Sequence, residues 1–81
     1  MSFYKLTAEN IRKKQEMLDR LQGKFEVKLA GADDVFDSMY IVVIDGTEQQ
    51  ADEAQELMWE YNGGAYCGIT KITEDQYDDL C

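Results

Sequence analysis

The segment DEAQELMWEYNGGAYCGITKI, residues 52–72, decides the fold of this chain. Its first half places apolar residues at spacings of three and four, which is typical of an amphipathic helix. Gly63 and Gly64 stop that helix, and the alternating stretch at residues 65–72 predicts a strand. The segment is therefore the second half of a strand–helix–strand unit, and folding alone accounts for its residues.

The residues just before this segment complete the unit. The run MYIVVI is apolar on both faces, so it predicts a central strand, which we place at residues 38–44. Thr47 and Gln50 have the spacing of a capping box, and the helix is therefore expected at residues 48–62. Its buried stripe is predicted to consist of Ala51, Ala54, Leu57, Met58 and Tyr61.

The N-terminal third predicts one more helix and one more strand. Thr7 fits the N-cap of a helix at residues 7–22, and Gly23 is expected to end that helix in a left-handed conformation. Residues 24–30 alternate between apolar and charged side chains, as in a strand at the edge of a sheet. The apolar face of that strand is predicted to carry Phe25, Val27 and Leu29.

Two α+β topologies fit this single domain of 81 residues. If residues 2–6 form a first strand, the order is β-α-β-β-α-β, a two-layer ferredoxin-like plait whose usual strand order is 4-1-3-2. If residues 2–6 are only a lead-in, the order is α-β-β-α-β with a three-stranded sheet. We favour the plait, and we expect residues 73–81 to form an acidic tail in which Thr73 and Gln76 repeat the capping box.

Composition argues against an enzyme. Histidine is absent, which removes the commonest general base and the usual catalytic triads. Cys67 and Cys81 lack the spacing of a metal or redox motif, so we expect two free thiols in a reducing compartment. No apolar run approaches the length of a membrane span and no secretory leader is recognisable, which predicts a cytoplasmic protein.

No metal or cofactor site is expected. Asp33, Asp34 and Asp37 cluster in the connection between two predicted strands, and such oxygen ligands could hold a hard cation. The spacing of an EF-hand is missing, so a solvated acidic loop is the favoured interpretation.

The net charge of −9 is distributed very unevenly along the chain. Residues 1–28 hold seven of the eight basic residues and only four acids, whereas residues 29–81 hold Lys71 alone against thirteen acids. An acidic field of this kind attracts basic partners and repels nucleic-acid phosphates, so direct binding of nucleic acid is not expected.

The candidate partner-binding residues lie on and after the predicted helix at residues 48–62. Glu53, Glu56 and Glu60 recur at helical spacing beside Asp52, and such a ridge can imitate the phosphates of a nucleic-acid backbone. Trp59 lies on the flank of the helix, and tryptophan is enriched at binding hot spots, but it could equally complete the core. An ordinary solvated helix face is the competing interpretation of the acids.

From Lys24 onward, the chain resembles small phage proteins of the T7-like type that inhibit bacterial RNA polymerase. The residues that carry the resemblance are KFEVKLA, YIVVIDG and the segment at residues 52–72. The resemblance implies contacts with the polymerase through acidic side chains near the first strands and through arginine-type side chains on the last strand. Lys71 occupies one arginine-type position, whereas Thr73 departs from the pattern, and the predicted first helix has no counterpart in that family.

These observations predict a small acidic binding protein, encoded by a phage or mobile element, that inhibits a host enzyme acting on nucleic acid. It would cover a basic surface of RNA polymerase or a similar enzyme. The alternative is a regulatory plait domain that forms a homodimer through its sheet or an edge strand. The residues expected to contact the partner are Asp52, Glu53, Glu56, Trp59, Glu60, Tyr66 and Lys71.

Overall fold

A seven-residue strand, β1, holds the sheet of this protein together. The computed structural model describes residues 2–32, 39–63 and 65–80. Within those residues the elements are β1 (Phe3–Glu9), α1 (Lys14–Lys24), β2 (Glu26–Ala32), β3 (Met39–Asp45), α2 (Glu48–Asn62), β4 (Cys67–Ile72) and α3 (Glu74–Leu80).

The four described strands form one antiparallel sheet in the order β2-β3-β1-β4, which reads β4-β1-β3-β2 from the other edge. Strand β1 pairs along its whole length with β3, from Phe3 opposite Asp45 to Glu9 opposite Met39. Its other side pairs with β4, from Phe3 opposite Ile72 to Ala8 opposite Cys67. The alternative with three strands is therefore wrong, and β3 is internal while β2 lies at an edge, as their polarity predicts.

The predicted start of the first helix is wrong. Thr7 does not cap a helix but lies within β1, where Leu6 and Ala8 are buried on either side of it in the alternation of a strand. Helix α1 begins only at Lys14, after a left-handed residue, Lys13, that makes no side-chain cap. Pairing of β1 with two other strands outweighs the local capping signal, because propensity is a weak prior against tertiary pairing.

The predicted left-handed cap at Gly23 is also wrong. Gly23 lies inside α1, which continues to Lys24 and passes directly into extended backbone at Phe25. The Phe25 N–H donates to the Leu21 carbonyl at 2.7 Å and so closes the last turn. The left-handed cap is found at the end of α2, where Gly63 has φ of 65°.

A β-bulge in β2 moves one residue to the unexpected face of the sheet. Val27 lies opposite Ile44, but the register shifts at Lys28, so that Leu29 lies opposite Val43. Leu29 therefore packs on the face away from α1 and α2, not beside Val27 as the alternation predicts. An extra residue of this kind reverses the faces of all residues after it.

Each face of the sheet has its own apolar cluster. On one face, Leu6, Val42 and Ile44 pack beneath α1 and α2. Burial of each such side chain stabilises the fold by roughly 1.5–3 kcal/mol. On the other face, the ring of Tyr77 in α3 stacks on Phe3 with centroids 4.8 Å apart.

Helix α2 has the predicted bounds, and hydrogen bonds fix both of its ends. At its start, the Gln50 N–H donates to the Thr47 hydroxyl at 3.1 Å, and the Thr47 N–H donates to the Gln50 side chain at 2.9 Å. At its end, the Arg12 N–H donates to the Tyr61 carbonyl at 2.9 Å. Four of the five residues predicted for the buried stripe are buried, namely Ala51, Ala54, Leu57 and Met58, whereas Tyr61 is partly exposed. Asn62 is also buried.

The same glycine-to-alanine change should have opposite effects in the two helices. Gly63→Ala forces a side chain into left-handed backbone and should lower the free energy of unfolding by about 1 kcal/mol. Gly23→Ala meets no atom within 4 Å and should raise it by about 0.5–1 kcal/mol, because alanine favours the helix. Urea unfolding measures both, and equal destabilisation by the two variants would contradict this assignment of the caps.

Candidate functional site

Helix α2 exposes a row of acidic side chains without any basic residue among its fifteen. Asp52, Glu53, Glu56 and Glu60 are all exposed. Helix α3 also carries acids and no base in its seven residues. The charge imbalance of the sequence therefore becomes two acidic helices, one on each face of the sheet.

The structure divides the seven predicted contact residues into two groups. The first group is Glu53, Glu56 and Glu60, which face α1 across a shallow groove between the two helices. This groove is lined by Arg20, Lys24, Glu53, Glu56, Leu57 and Glu60. The basic side chains of the groove come from α1 and the acidic ones from α2. This part of α2 is therefore not a purely acidic surface.

Glu60 is already engaged inside the molecule. The Arg20 guanidinium donates to the Glu60 carboxylate at 2.7 Å and to the Tyr61 hydroxyl at 3.0 Å. These hydrogen bonds, the one to Tyr61 first, raise the pKa of Arg20 above its ordinary value. Because the pair is exposed, its effect on stability is small. Its consequence for function is that Glu60 is partly neutralised before any partner arrives.

The second group of predicted residues surrounds β4. The Gln55 amide donates to the Cys67 carbonyl at 2.8 Å, which fixes the side of α2 that faces this strand. Asp52 and Trp59 lie three residues before and four residues after Gln55, so all three follow one line along the helix surface. Trp59 is 46% exposed and Asp52 is exposed, so both border the outer side of β4. Tryptophan thus belongs to the surface, not to the core.

Tyr66 and Lys71 belong to this same second group. The Tyr66 side chain is 59% exposed and lies over Gly68, where the Cβ of any larger residue would collide with the Tyr66 hydroxyl. Gly68 therefore permits the close approach of the Tyr66 side chain. Lys71 is exposed within β4, opposite Tyr4 of β1. We call Asp52, Trp59, Tyr66 and Lys71, together with the outer edge of β4, the β4 surface.

A residue that sequence analysis missed, Asn62, holds this surface in place. It is only 3% exposed, and its amide donates to the Ala65 carbonyl at 2.9 Å and to the Tyr66 carbonyl at 3.2 Å. The Tyr66 carbonyl also accepts the Glu9 N–H at 2.9 Å. Asn62 thus ties the end of α2 to the start of β4. The signal was present, because asparagine before glycine at a helix end commonly bonds to nearby backbone.

Asn62→Ala should lower the free energy of unfolding by about 2 kcal/mol, because it removes a buried side chain that donates to two partly buried backbone carbonyls. Urea unfolding measures the loss. Gln49→Ala, at an exposed position of the same helix, is the control and should change stability by less than about 0.5 kcal/mol. Equal effects of the two variants would contradict the role given to Asn62.

The thiol of Cys67 is poorly suited to chemistry at neutral pH. Burial raises the pKa of Cys67 to about 11, so the thiol stays protonated. Its sulfur lies 3.9 Å from the Gln55 carbonyl, beneath α2. A thiol of this kind is a poor nucleophile, since the thiolate is the reactive form.

Alkylation kinetics should reveal this pKa. In a Cys81→Ser background, Cys67 should react with iodoacetamide at pH 8 about 100-fold more slowly than a thiol of ordinary pKa, because less thiolate is present. Its rate should keep rising with pH towards about 11. The same protein unfolded in urea is the control, and a plateau of the folded rate near pH 9 would contradict the assignment.

Some of the residues singled out in the sequence lie outside the part of the chain that the structure describes. They are the aspartates at positions 33, 34 and 37, and Cys81. Among the residues that are described, no group of His, Cys, Asp and Glu side chains is arranged to hold a metal ion. None of the described helices is both long and apolar enough to cross a membrane.

Comparison with known proteins leaves these surfaces to be judged on their own geometry. No protein-family model, no curated protein and no solved structure matches this chain.

Proposed function

We propose that this chain is a small acidic binding protein without catalytic activity, encoded by a phage or mobile element. Its target is a host enzyme that acts on nucleic acid. The chain inhibits that enzyme by covering a basic surface on it. The observation that carries the proposal is the exposure of Asp52, Glu53 and Glu56 on a helix without basic residues, with Trp59 exposed beside them.

The physical basis is competition for a basic groove. A surface that binds nucleic acid is rich in lysine and arginine, and carboxylates at helical spacing can occupy the positions of phosphates on it. Opposite charges accelerate the encounter, and salt screens the attraction over about 10 Å at 0.1 M. A partly exposed tryptophan adds the apolar contact that a purely electrostatic complex lacks.

The fold we infer for this binding protein is the ferredoxin-like plait. The β-α-β-β-α-β order of the first six elements supports it, as does the position of β1 and β3 inside the sheet. Both α1 and α2 pack on one face, which leaves the other face to the short helix α3.

Bacterial RNA polymerase is the partner we propose, in the cytoplasm of the host. The sequence resemblance to small phage inhibitors favours it, and the exposure of Lys71 is compatible with the basic contact which that resemblance implies. The ion pair of Glu60 with Arg20 leaves Asp52, Glu53 and Glu56 as the acids of α2 that we expect to meet the partner.

A pair of charge-matched variants tests this function with purified bacterial RNA polymerase. Asp52→Asn/Glu56→Gln should weaken binding about tenfold at low salt, equivalent to roughly 1.4 kcal/mol, and should relieve inhibition of transcription. Asp78→Asn/Asp79→Asn in α3 changes the net charge equally and should change affinity far less. Titration by light scattering or biolayer interferometry at two salt concentrations gives both affinities.

Two outcomes would overturn the proposal. Equal weakening by both variants would mean that only net charge matters and that α2 is no specific surface. Absence of binding to the polymerase, together with recovery of only the protein itself from bacterial lysate at low salt, would exclude an inhibitor of host enzymes.

The second candidate is a regulatory domain that forms homodimers. The outer edge of β4 favours it, because no described strand pairs there and an unpaired strand edge is a template for a second chain. A dimer of this kind should grow in apparent size with concentration and should be insensitive to Glu53→Gln.

A further inference from the structure

The outer edge of β4 presents backbone groups that no described strand uses. Strand β4 ends the sheet, and the described residues supply no pairing beyond it. The Glu9 N–H donates to the Tyr66 carbonyl, so Tyr66 turns its backbone groups towards β1. In an antiparallel ladder this direction alternates, so Gly68 and Thr70 also face β1. The residues whose N–H and C=O groups point outward are then Cys67, Ile69 and Lys71.

One of these outward groups is already bound within the chain. The Gln55 amide donates to the Cys67 carbonyl, which blocks one end of the edge. Ile69 and Lys71 lie farther along the same edge. An incoming strand would therefore dock on the C-terminal half of β4.

The opposite edge of the sheet is built differently. In β2, the register shifts between Val27 and Leu29, and Lys28 forms an ion pair with Glu26 at 2.9 Å. A bulge is one of the usual devices that keep an edge from pairing. Strand β4 pairs with β1 in continuous register and has no bulge. Of the two edges, β4 is therefore the one shaped to accept a strand.

Charge selects the occupant of this edge. Asp52 borders it on the α2 side, and α3 begins just beyond its end with Glu74 and Asp75 in the first turn. A second copy would bring another chain of net charge −9 to the same place. Repulsion disfavours that pairing, whereas a segment with lysine or arginine side chains gains from the field.

We propose that the outer edge of β4 binds an extended basic segment of the partner protein as a fifth strand of the sheet. This inference rests on the proposed function and names the part of the partner that is bound. Side chains alternate along the added strand, so one set meets Asp52 while the other meets Tyr66 and Thr70. Main-chain hydrogen bonds to Ile69 and Lys71 supply the attachment.

A tethered strand tests the proposal without any host protein. A segment of alternating lysine and threonine, about seven residues long, is joined to the C-terminus of the full chain through a glycine–serine linker of about 20 residues. Such a linker has a mean span of about 25 Å, which matches the 30 × 27 × 19 Å dimensions of the protein. It supplies the segment at roughly millimolar effective concentration. The matched control replaces each lysine by glutamate.

Amide hydrogen exchange measured by NMR is the readout. In the lysine fusion, the outward amides of Ile69 and Lys71 should exchange at least about tenfold more slowly than in the glutamate fusion. The inward amides of Gly68 and Thr70 should be equally protected in both fusions and report that the sheet is intact. Asp52→Asn should reduce the new protection, whereas Glu53→Gln, on the groove side of α2, should not.

Three outcomes would overturn the proposal. Protection in neither fusion would mean that the edge does not accept a strand, and equal protection in both would mean that it does not select basic segments. Protection in the chain without a fusion, increasing with concentration, would identify a second copy as the occupant. Because no polymerase is present, a protected edge combined with failure to bind polymerase would reject only the proposed partner, not the docking site.

Discussion

The pairing of β1 with both β3 and β4 is the constraint on which the rest of the structure depends. Seven residues from Phe3 to Glu9 meet strands that begin 30 or more residues later in the chain. Without β1, β4 has no described neighbour in the sheet, and α2 loses the surface beneath Ala51 and Ala54. Alternating burial of Tyr4, Leu6 and Ala8 makes this strand the floor of the main core.

This topology converts a charge pattern in the sequence into an asymmetric surface. Helix α2 must cross from β3 back to β4, so it lies over β1 and β4. Helix α1 packs over β2 and sets Arg20 and Lys24 against α2, where Arg20 neutralises Glu60. Asn62 then fixes the turn between α2 and β4. The exposed Asp52 thus lies on the side of α2 towards β4, whose outer backbone groups pair with no described strand.

Local sequence signals predicted structure correctly where local contacts determine it, and failed where pairing between distant strands determines it. The bounds of α2 follow from Thr47 and Gln50, whose capping box needs only three residues of sequence. Thr7 offers a similar signal, but pairing with residues more than 30 positions away places it in a strand. The bulge at Lys28 and the clamp at Asn62 depend on registers and contacts that no periodicity reports. For the same reason, the sequence could not show that some acids of α2 face α1 while Asp52 lies on the side towards β4.

The most direct test of this account is hydrogen exchange of the whole protein with and without purified bacterial RNA polymerase, followed by mass spectrometry. The account predicts that binding protects the outer amides of β4 and the segment of α2 around Asp52 and Trp59, while exchange in α1 is unchanged. Protection confined to α1 and the groove at Arg20, with β4 unaltered in the complex, would contradict it.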